Sequence, residues 1–169
     1  VALELEGREA VLDGELVAYG DDGRPSFQRL QRRMHVASAA EVRKRRADVP
    51  VTYVIFDLLH LDGESLLGLP YEERRERLDA LGLNGESWQS PAYHRGDGAA
   101  MLEVSKAQGL EGVVAKRLTS PYRPGRHSRD WLKIKNFRGQ EIVIGGWLPG
   151  KGRREGEIGS LLAGYYEEE

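Results

Sequence analysis

Glu111-Gly-Val-Val-Ala-Lys116, followed across a basic loop by Trp131-Leu-Lys-Ile-Lys135, is the stretch on which the reading of this chain turns. Side chains alternate between the two faces of an extended strand, so Trp131, Lys133 and Lys135 share one face and Leu132 and Ile134 the other, which is expected to be core. The same alternation groups Glu111 with Val113 and Ala115 and sends Lys116 to the opposite side. One acid and several amines in a short β-rich span suit a site for phosphate together with a divalent ion, because Mg²⁺ is held by carboxylates plus substrate phosphates. A half-exposed strand with solvated lysines has the same pattern. The functional reading therefore rests on the residues around it.

The chain has 169 residues, enough for one domain or one domain and part of another, and a net charge of −2. Its positive charge is concentrated. Residues 116–138 hold Lys116, Arg117, Arg123, Arg126, Arg129, Lys133, Lys135 and Arg138 against the single acid Asp130, a local charge of +7. Such a run is either a solvated basic face or the footprint of a phosphate-rich partner. No cysteine is present, which excludes disulfides and thiolate metal sites and fits a reducing cytoplasm. No apolar run approaches the roughly 20 residues of a membrane span, so no membrane association is expected.

Val11–Tyr19 reads as a strand broken by an internal Asp-Gly, with Asp13, Glu15 and Val17 on one face. Glu15 faces either water at an edge or a cleft, and Gly14 beside it favours a close approach of ligand or backbone. Residues 25–34 carry Phe27, Leu30 and Met34 at helical spacing, with Ser26 as cap, and these three are expected to be core. Val51–Asp57 is a β-branched and aromatic run, the pattern of a strand buried on both faces. Residues 71–81 predict a charged surface helix with Glu73 paired to Arg77 and a solvated outer face. A further helix covers 97–108 and ends at Gly109. Gln140–Leu148 and Gly159–Tyr166 are strands joined by a Gly/Lys/Arg-rich connection, and the composition shift near 136–139 marks a boundary between residues 1–137 and 138–169.

Four segments now stand in order: Asp13-Gly-Glu-Leu, Phe56-Asp-Leu-Leu59, Glu111-Gly-Val-Val-x-Lys116 and Trp131-Leu-Lys133-x-Lys135. This series resembles the ATP-dependent DNA ligases of the covalent nucleotidyltransferase superfamily. The loop Ser120-Pro-Tyr-Arg-Pro-Gly-Arg126 and the text from Gly145 to Leu162 resemble the bacterial ligase D type used in end joining. The resemblance implies an α+β, ATP-grasp-like nucleotidyltransferase domain of mixed and antiparallel sheets with flanking helices, followed by the first hairpin of an OB-type barrel. It implies ATP, leaving AMP on the enzyme and then on DNA, with Mg²⁺ or Mn²⁺ as metal. Nicked duplex DNA and end-joining proteins are the implied partners, in the nucleoid-associated cytoplasm of a bacterium. By the same resemblance Phe56 stacks on adenine, Glu15 helps fix the sugar, and Glu111 supports the metal. Lys116, Lys133 and Lys135 meet the nucleotide, the last two as catalytic cations, while Arg123, Arg126 and Arg129 touch DNA phosphates.

Two departures stand out. The family's nucleophilic lysine lies in a Lys-x-Asp-Gly motif; the lysines here are 44, 106, 116, 133, 135 and 151, and none begins that pattern. His127 stands where the family text has arginine. The chain thus reads as a fragment carrying part of an adenylation domain, expected to be inactive in self-adenylation. The alternatives are a GTP-dependent RNA-capping relative and a non-catalytic remnant that binds duplex or nicked DNA.

Overall fold

The computed structural model describes residue 1, residues 5–136 and residues 141–166. Arg138, Gln140 and the boundary at 137/138 lie outside the described residues. The chain divides into two compact units, Val1–Asn136 and Phe137–Glu169.

The first unit is built on a five-stranded sheet. Strand β1 (Ala10–Val17) pairs antiparallel with β2 (Thr52–Leu61), and β3 (Glu64–Ser65) folds back on β2. The β2–β3 turn is Asp62-Gly63, both at positive φ, as a two-residue hairpin turn requires. Strand β5 (Trp88–Gln89) runs parallel to the other edge of β2 and carries β4 (Asn84–Gly85) outside it. The β-branched run around Ile55 is therefore central, flanked on both edges; of the burial expected on both faces, Ile55, Asp57 and Leu58 are buried while Val54 and Phe56 are half-buried.

Helix α1 (Phe27–Gln31) and helix α2 (Ala39–Asp48) connect β1 to β2. Ser26 and Ser38 cap them, each hydroxyl accepting from the amide three residues on. Helix α3 (Tyr71–Ala80) follows β3, and α4 (Gly98–Ala107) follows β5. The Asp97 carboxylate accepts from the Ala99 and Ala100 amides at 3.1 Å, and Gly109 at φ +70° ends the helix region as expected. Ile55 and Leu58 of β2, Leu66, Leu78 of α3 and Leu83 form the buried core with Leu5. A separate antiparallel ribbon joins β6 (Gly112–Lys116) to β7 (Trp131–Lys135). The result is the mixed α+β architecture read from the sequence.

The second unit is an antiparallel hairpin, β8 (Val143–Pro149) with β9 (Ile158–Gly164), close to the expected strands. Val143, Ile144, Trp147, Leu148, Leu161 and Leu162 are all more than half exposed, since a lone hairpin offers no second layer. No helix among the described residues is long and apolar enough to cross a membrane.

Two expectations change. Phe27 and Met34 are not core but 64% and 45% exposed. The helix they were to stripe is only five residues long, so Met34 falls beyond its end, and His35 at φ +59° turns the chain away. Helix α3 is no solvated outer face: Arg74 and Arg75 are buried, while Arg77 pairs with Glu64 at 2.8 Å rather than with Glu73. Charge periodicity alone does not register a buried acid across the interface, and Asp57 of β2 is that acid. Gly14 does mark a close approach of backbone: a Cβ there would lie 2.5 Å from the Val54 carbonyl oxygen and 2.6 Å from the Tyr53 ring, whose hydroxyl donates to the Leu12 carbonyl.

Candidate functional site

The β6–β7 register decides what the ribbon displays. Gly112 lies opposite Lys135, Val114 opposite Lys133, and Lys116 opposite Trp131. Directly paired residues of an antiparallel ladder share a face. Lys116, Lys133 and Lys135 therefore look out together with Trp131, a grouping the single-strand alternation could not give. The opposite face is not core: Leu132 and Ile134 are 51% and 40% exposed.

Gly112 holds that register. At φ +153° it brings the two strands so close that a Cβ would collide with the Ile134 carbonyl oxygen and lie 2.8 Å from the Lys135 Cα. It also frees the preceding residue from the strand's alternation. Glu111, expected on the face away from Lys116, meets Lys135 Nζ at 2.9 Å. The Lys135 ammonium holds the Glu111 carboxyl below the usual carboxylate range. Gly112→Ala should destabilise the chain by about 2–4 kcal/mol through backbone strain and collision. Denaturant unfolding checks this; a loss within experimental error would mean the strands do not approach so closely.

Lys116 sits apart from its two companions. Its Nζ lies 3.9 Å from the Trp131 ring centroid, 4.1 Å from Phe56 and 4.8 Å from Tyr71, three rings delivered by β7, β2 and α3. No hydrogen bond or ion pair reaches it among the described residues. Burial pulls its pKa down to about 8; Asp57 and Asp13 oppose that shift, and Arg75 and Arg74 add to it. Trp131 is the hub of the rings, meeting Phe56, Tyr71 and Tyr122 edge-on at 6.3, 6.1 and 5.6 Å.

Behind the rings lies a buried polar frame. Arg74 Nε and Nη2 donate to the two Asp57 oxygens at 2.8 Å, and Arg74 Nη1 donates to the Leu69 and Ser120 carbonyls. The same guanidinium lies over the Tyr71 and Tyr122 rings. Tyr122 is tied down by its amide, which donates to the Leu67 carbonyl, and by its hydroxyl, which donates to Asp13 Oδ2 at 2.8 Å. Burial, reinforced by that hydrogen bond, raises the Tyr122 pKa to about 12. Burial likewise raises Tyr71 to about 12, so both phenols stay protonated at neutral pH.

The structure thus brings together Phe56 and Lys116, and places Lys133 and Lys135 on the face shared with Lys116. Glu15 is exposed and makes no contact with them among the described residues. Register shifts in the β1–β2 ladder place Asp13 opposite Asp57 but Glu15 opposite Val54, and it is Asp13 that reaches the cluster. Arg123, Arg126 and Arg129 are exposed on the loop between β6 and β7, while Arg117 is paired with Asp130, the one acid of the basic run. His127 is exposed as well. Among the described residues no three His, Cys, Asp or Glu side chains gather as a metal cluster. Glu111 offers a single carboxylate, a donor set that fits Mg²⁺ only where substrate phosphates complete the shell. Sequence reasoning missed Asp13, Tyr71, Arg74 and Tyr122 as parts of this site. Two of them carried a signal: Asp13 as the first residue of Asp13-Gly-Glu-Leu, and Tyr122 as the aromatic residue of the Ser-Pro-Tyr-Arg loop.

A family profile described as "ATP dependent DNA ligase domain" matches residues 2–135. The multifunctional non-homologous end joining protein LigD of Mycobacterium bovis is 42% identical over 164 residues, covering 97% of this chain and 20% of that protein. A probable DNA ligase of Streptomyces avermitilis is 40% identical over 172 residues, covering 96% of this chain and 32% of the relative. Among solved structures, mycobacterial DNA ligase D complexed with ATP and MES matches with a TM-score of 0.69 and 42% identity, over 96% of this chain and 48% of that one. The chain thus spans a third or less of these curated relatives.

Proposed function

The chain belongs to the ATP-dependent DNA ligase family, and from that membership we propose that it supplies the phosphate- and base-binding part of a centre that seals nicks in duplex DNA during end joining. The observation that carries this reading is the common face of Lys116, Lys133, Lys135 and Trp131, with the Phe56 ring at its border.

In the proposed chemistry a lysine attacks the α-phosphate of ATP and expels pyrophosphate, the AMP passes from that lysine to the 5′-phosphate of a nick, and the 3′-hydroxyl attacks that phosphate, joining the strand and releasing AMP. Every step develops negative charge around phosphorus, and cations fixed on one strand stabilise it without reorganisation. Lys133 and Lys135 take that role. Phe56 stacks on the base, and Glu15 at the exposed edge of β1 reaches the sugar. Mg²⁺ or Mn²⁺ held by Glu111 and the phosphates would supply further charge neutralisation. The hairpin β8–β9 is read as the opening of an OB-type barrel, and end-joining proteins are the proposed partners. Arg123, Arg126 and Arg129 are assigned to DNA phosphates.

The sequence contains no Lys-x-Asp-Gly, which favours a second reading as a non-catalytic duplex binder. Intact mass after incubation with ATP and Mg²⁺ tests for a nucleophile on this chain: no AMP adduct is expected, and a stoichiometric adduct would assign it a nucleophile of its own and overturn the non-catalytic reading. Binding to nicked duplex DNA at several salt concentrations tests the arginines. Replacing all three by alanine should flatten the slope of log K against log salt by about 2.7, roughly 0.9 per lost phosphate contact. An unchanged slope would remove them from the interface.

A further inference from the structure

We propose that Lys116 is a positioning residue for the nucleotide base: its ammonium occupies one face of the Phe56 ring, fixing that ring so that the base stacks on the opposite face. The inference rests on the nucleotide reading above and assigns Lys116 a place behind the stacking ring rather than against phosphate.

The geometry leaves little choice of face. With Lys116 Nζ 4.1 Å from the Phe56 centroid, a base cannot lie flat on that side, where stacked rings sit at similar separations. Trp131 meets Phe56 with ring planes at 73° and centroids 6.3 Å apart, so it does not stack on the ring, and Phe56 is only half-buried. Lys116 is itself held from three sides by Phe56, Tyr71 and Trp131, and leaving them for a phosphate would empty the pocket the rings form.

The charge is also costly where it stands. The ammonium lacks a hydrogen-bond acceptor among the described residues, and a methionine would fill the same space with no charge to desolvate. The charged groups that surround it are Asp13 on β1, Asp57 on β2 and Arg74 and Arg75 on α3; Tyr71 of α3 and Tyr122 of the loop stay neutral. What a cation adds that methionine cannot is its attraction to the ring faces. That attraction is lost when the amine deprotonates, so the effect on the base is present below about pH 8 and fades above it.

Calorimetric titration of ATP and of inorganic tripolyphosphate into the parent chain, Lys116→Met, Lys116→Arg, Phe56→Leu and the Lys116→Met/Phe56→Leu double variant tests the assignment. Lys116→Met should weaken ATP about tenfold and leave tripolyphosphate unchanged, Lys116→Arg should restore ATP, and the effect should vanish in the Phe56→Leu background. ATP affinity of the parent should fall between pH 7 and 9 while that of Lys116→Met stays level, a comparison with tripolyphosphate removing the titration of the phosphates themselves. Lys116→Met should also melt no lower than the parent at pH 7. Equal weakening of both ligands, or unchanged ATP binding, would overturn the inference while the nucleotide reading stands. If the parent chain binds neither ligand, the nucleotide reading itself fails and this inference with it.

Discussion

Arg74→Met, with Asp57 left in place, should lower the unfolding free energy by roughly 3–5 kcal/mol, the range for stripping one partner from a buried ion pair. Both side chains are fully buried and joined by two parallel bonds of 2.8 Å. After the substitution the Asp57 carboxylate keeps, among the described residues, only the Leu58 amide at 2.9 Å as a donor, and the Leu69 and Ser120 carbonyls lose the Arg74 guanidinium. A buried charge left without its counter-charge is the costly outcome, more than the loss of the attraction itself. The double variant Arg74→Met/Asp57→Leu should accordingly be more stable than Arg74→Met alone, because no charge is stranded. Urea unfolding of both variants decides the matter. A single variant within 1 kcal/mol of the parent would show that Arg74 is not the tie between α3, β2 and the loop at Ser120.

Lys133→Ala should weaken ATP binding about 10- to 100-fold, the loss expected when one charge-assisted hydrogen bond to phosphate disappears. Lys135→Ala should have a smaller effect in the absence of metal, since the Lys135 ammonium is already engaged by Glu111 at 2.9 Å and both side chains are largely exposed. Lys133 has no such partner among the described residues. The pairing also gives Glu111→Gln a distinctive sign. Freed from the carboxylate, Lys135 should bind metal-free ATP more tightly than in the parent, while the gain from adding Mg²⁺ should shrink. Titrations with and without Mg²⁺ at constant ionic strength measure both effects. If Glu111→Gln weakens metal-free binding as well, Glu111 serves the nucleotide in some way other than through Lys135 and the metal.

Much of the site was legible in the residues because its parts lie on strands of regular period. The run from Val51 to Asp57 announced a strand, and alternation in Trp131–Lys135 placed two lysines beside a tryptophan. The caps of α1 and α4 and the stop at Gly109 follow from local backbone chemistry and needed no tertiary information. Phe27 and Met34 show the limit of the same reasoning. A helical spacing is a condition for a buried stripe, but Phe27 is exposed and Met34 lies beyond the end of a five-residue helix.

What the sequence determined by itself is therefore the set of elements, the α+β class, the basic run and the ligase-like order of its four segments. Tertiary structure alone decided which charges are buried and which side chains meet. Arg74 looks like any surface arginine of a charged helix until Asp57 is placed beneath it, since burial is a property of two elements packed together. Lys116 joins the face of Lys133 and Lys135 because the ladder aligns it with Trp131, and Asp13 is tied to the site by the Tyr122 hydroxyl, a contact between residues 109 positions apart. Register and burial depend on contacts between residues far apart in the chain, and local periodicity carries no information about them.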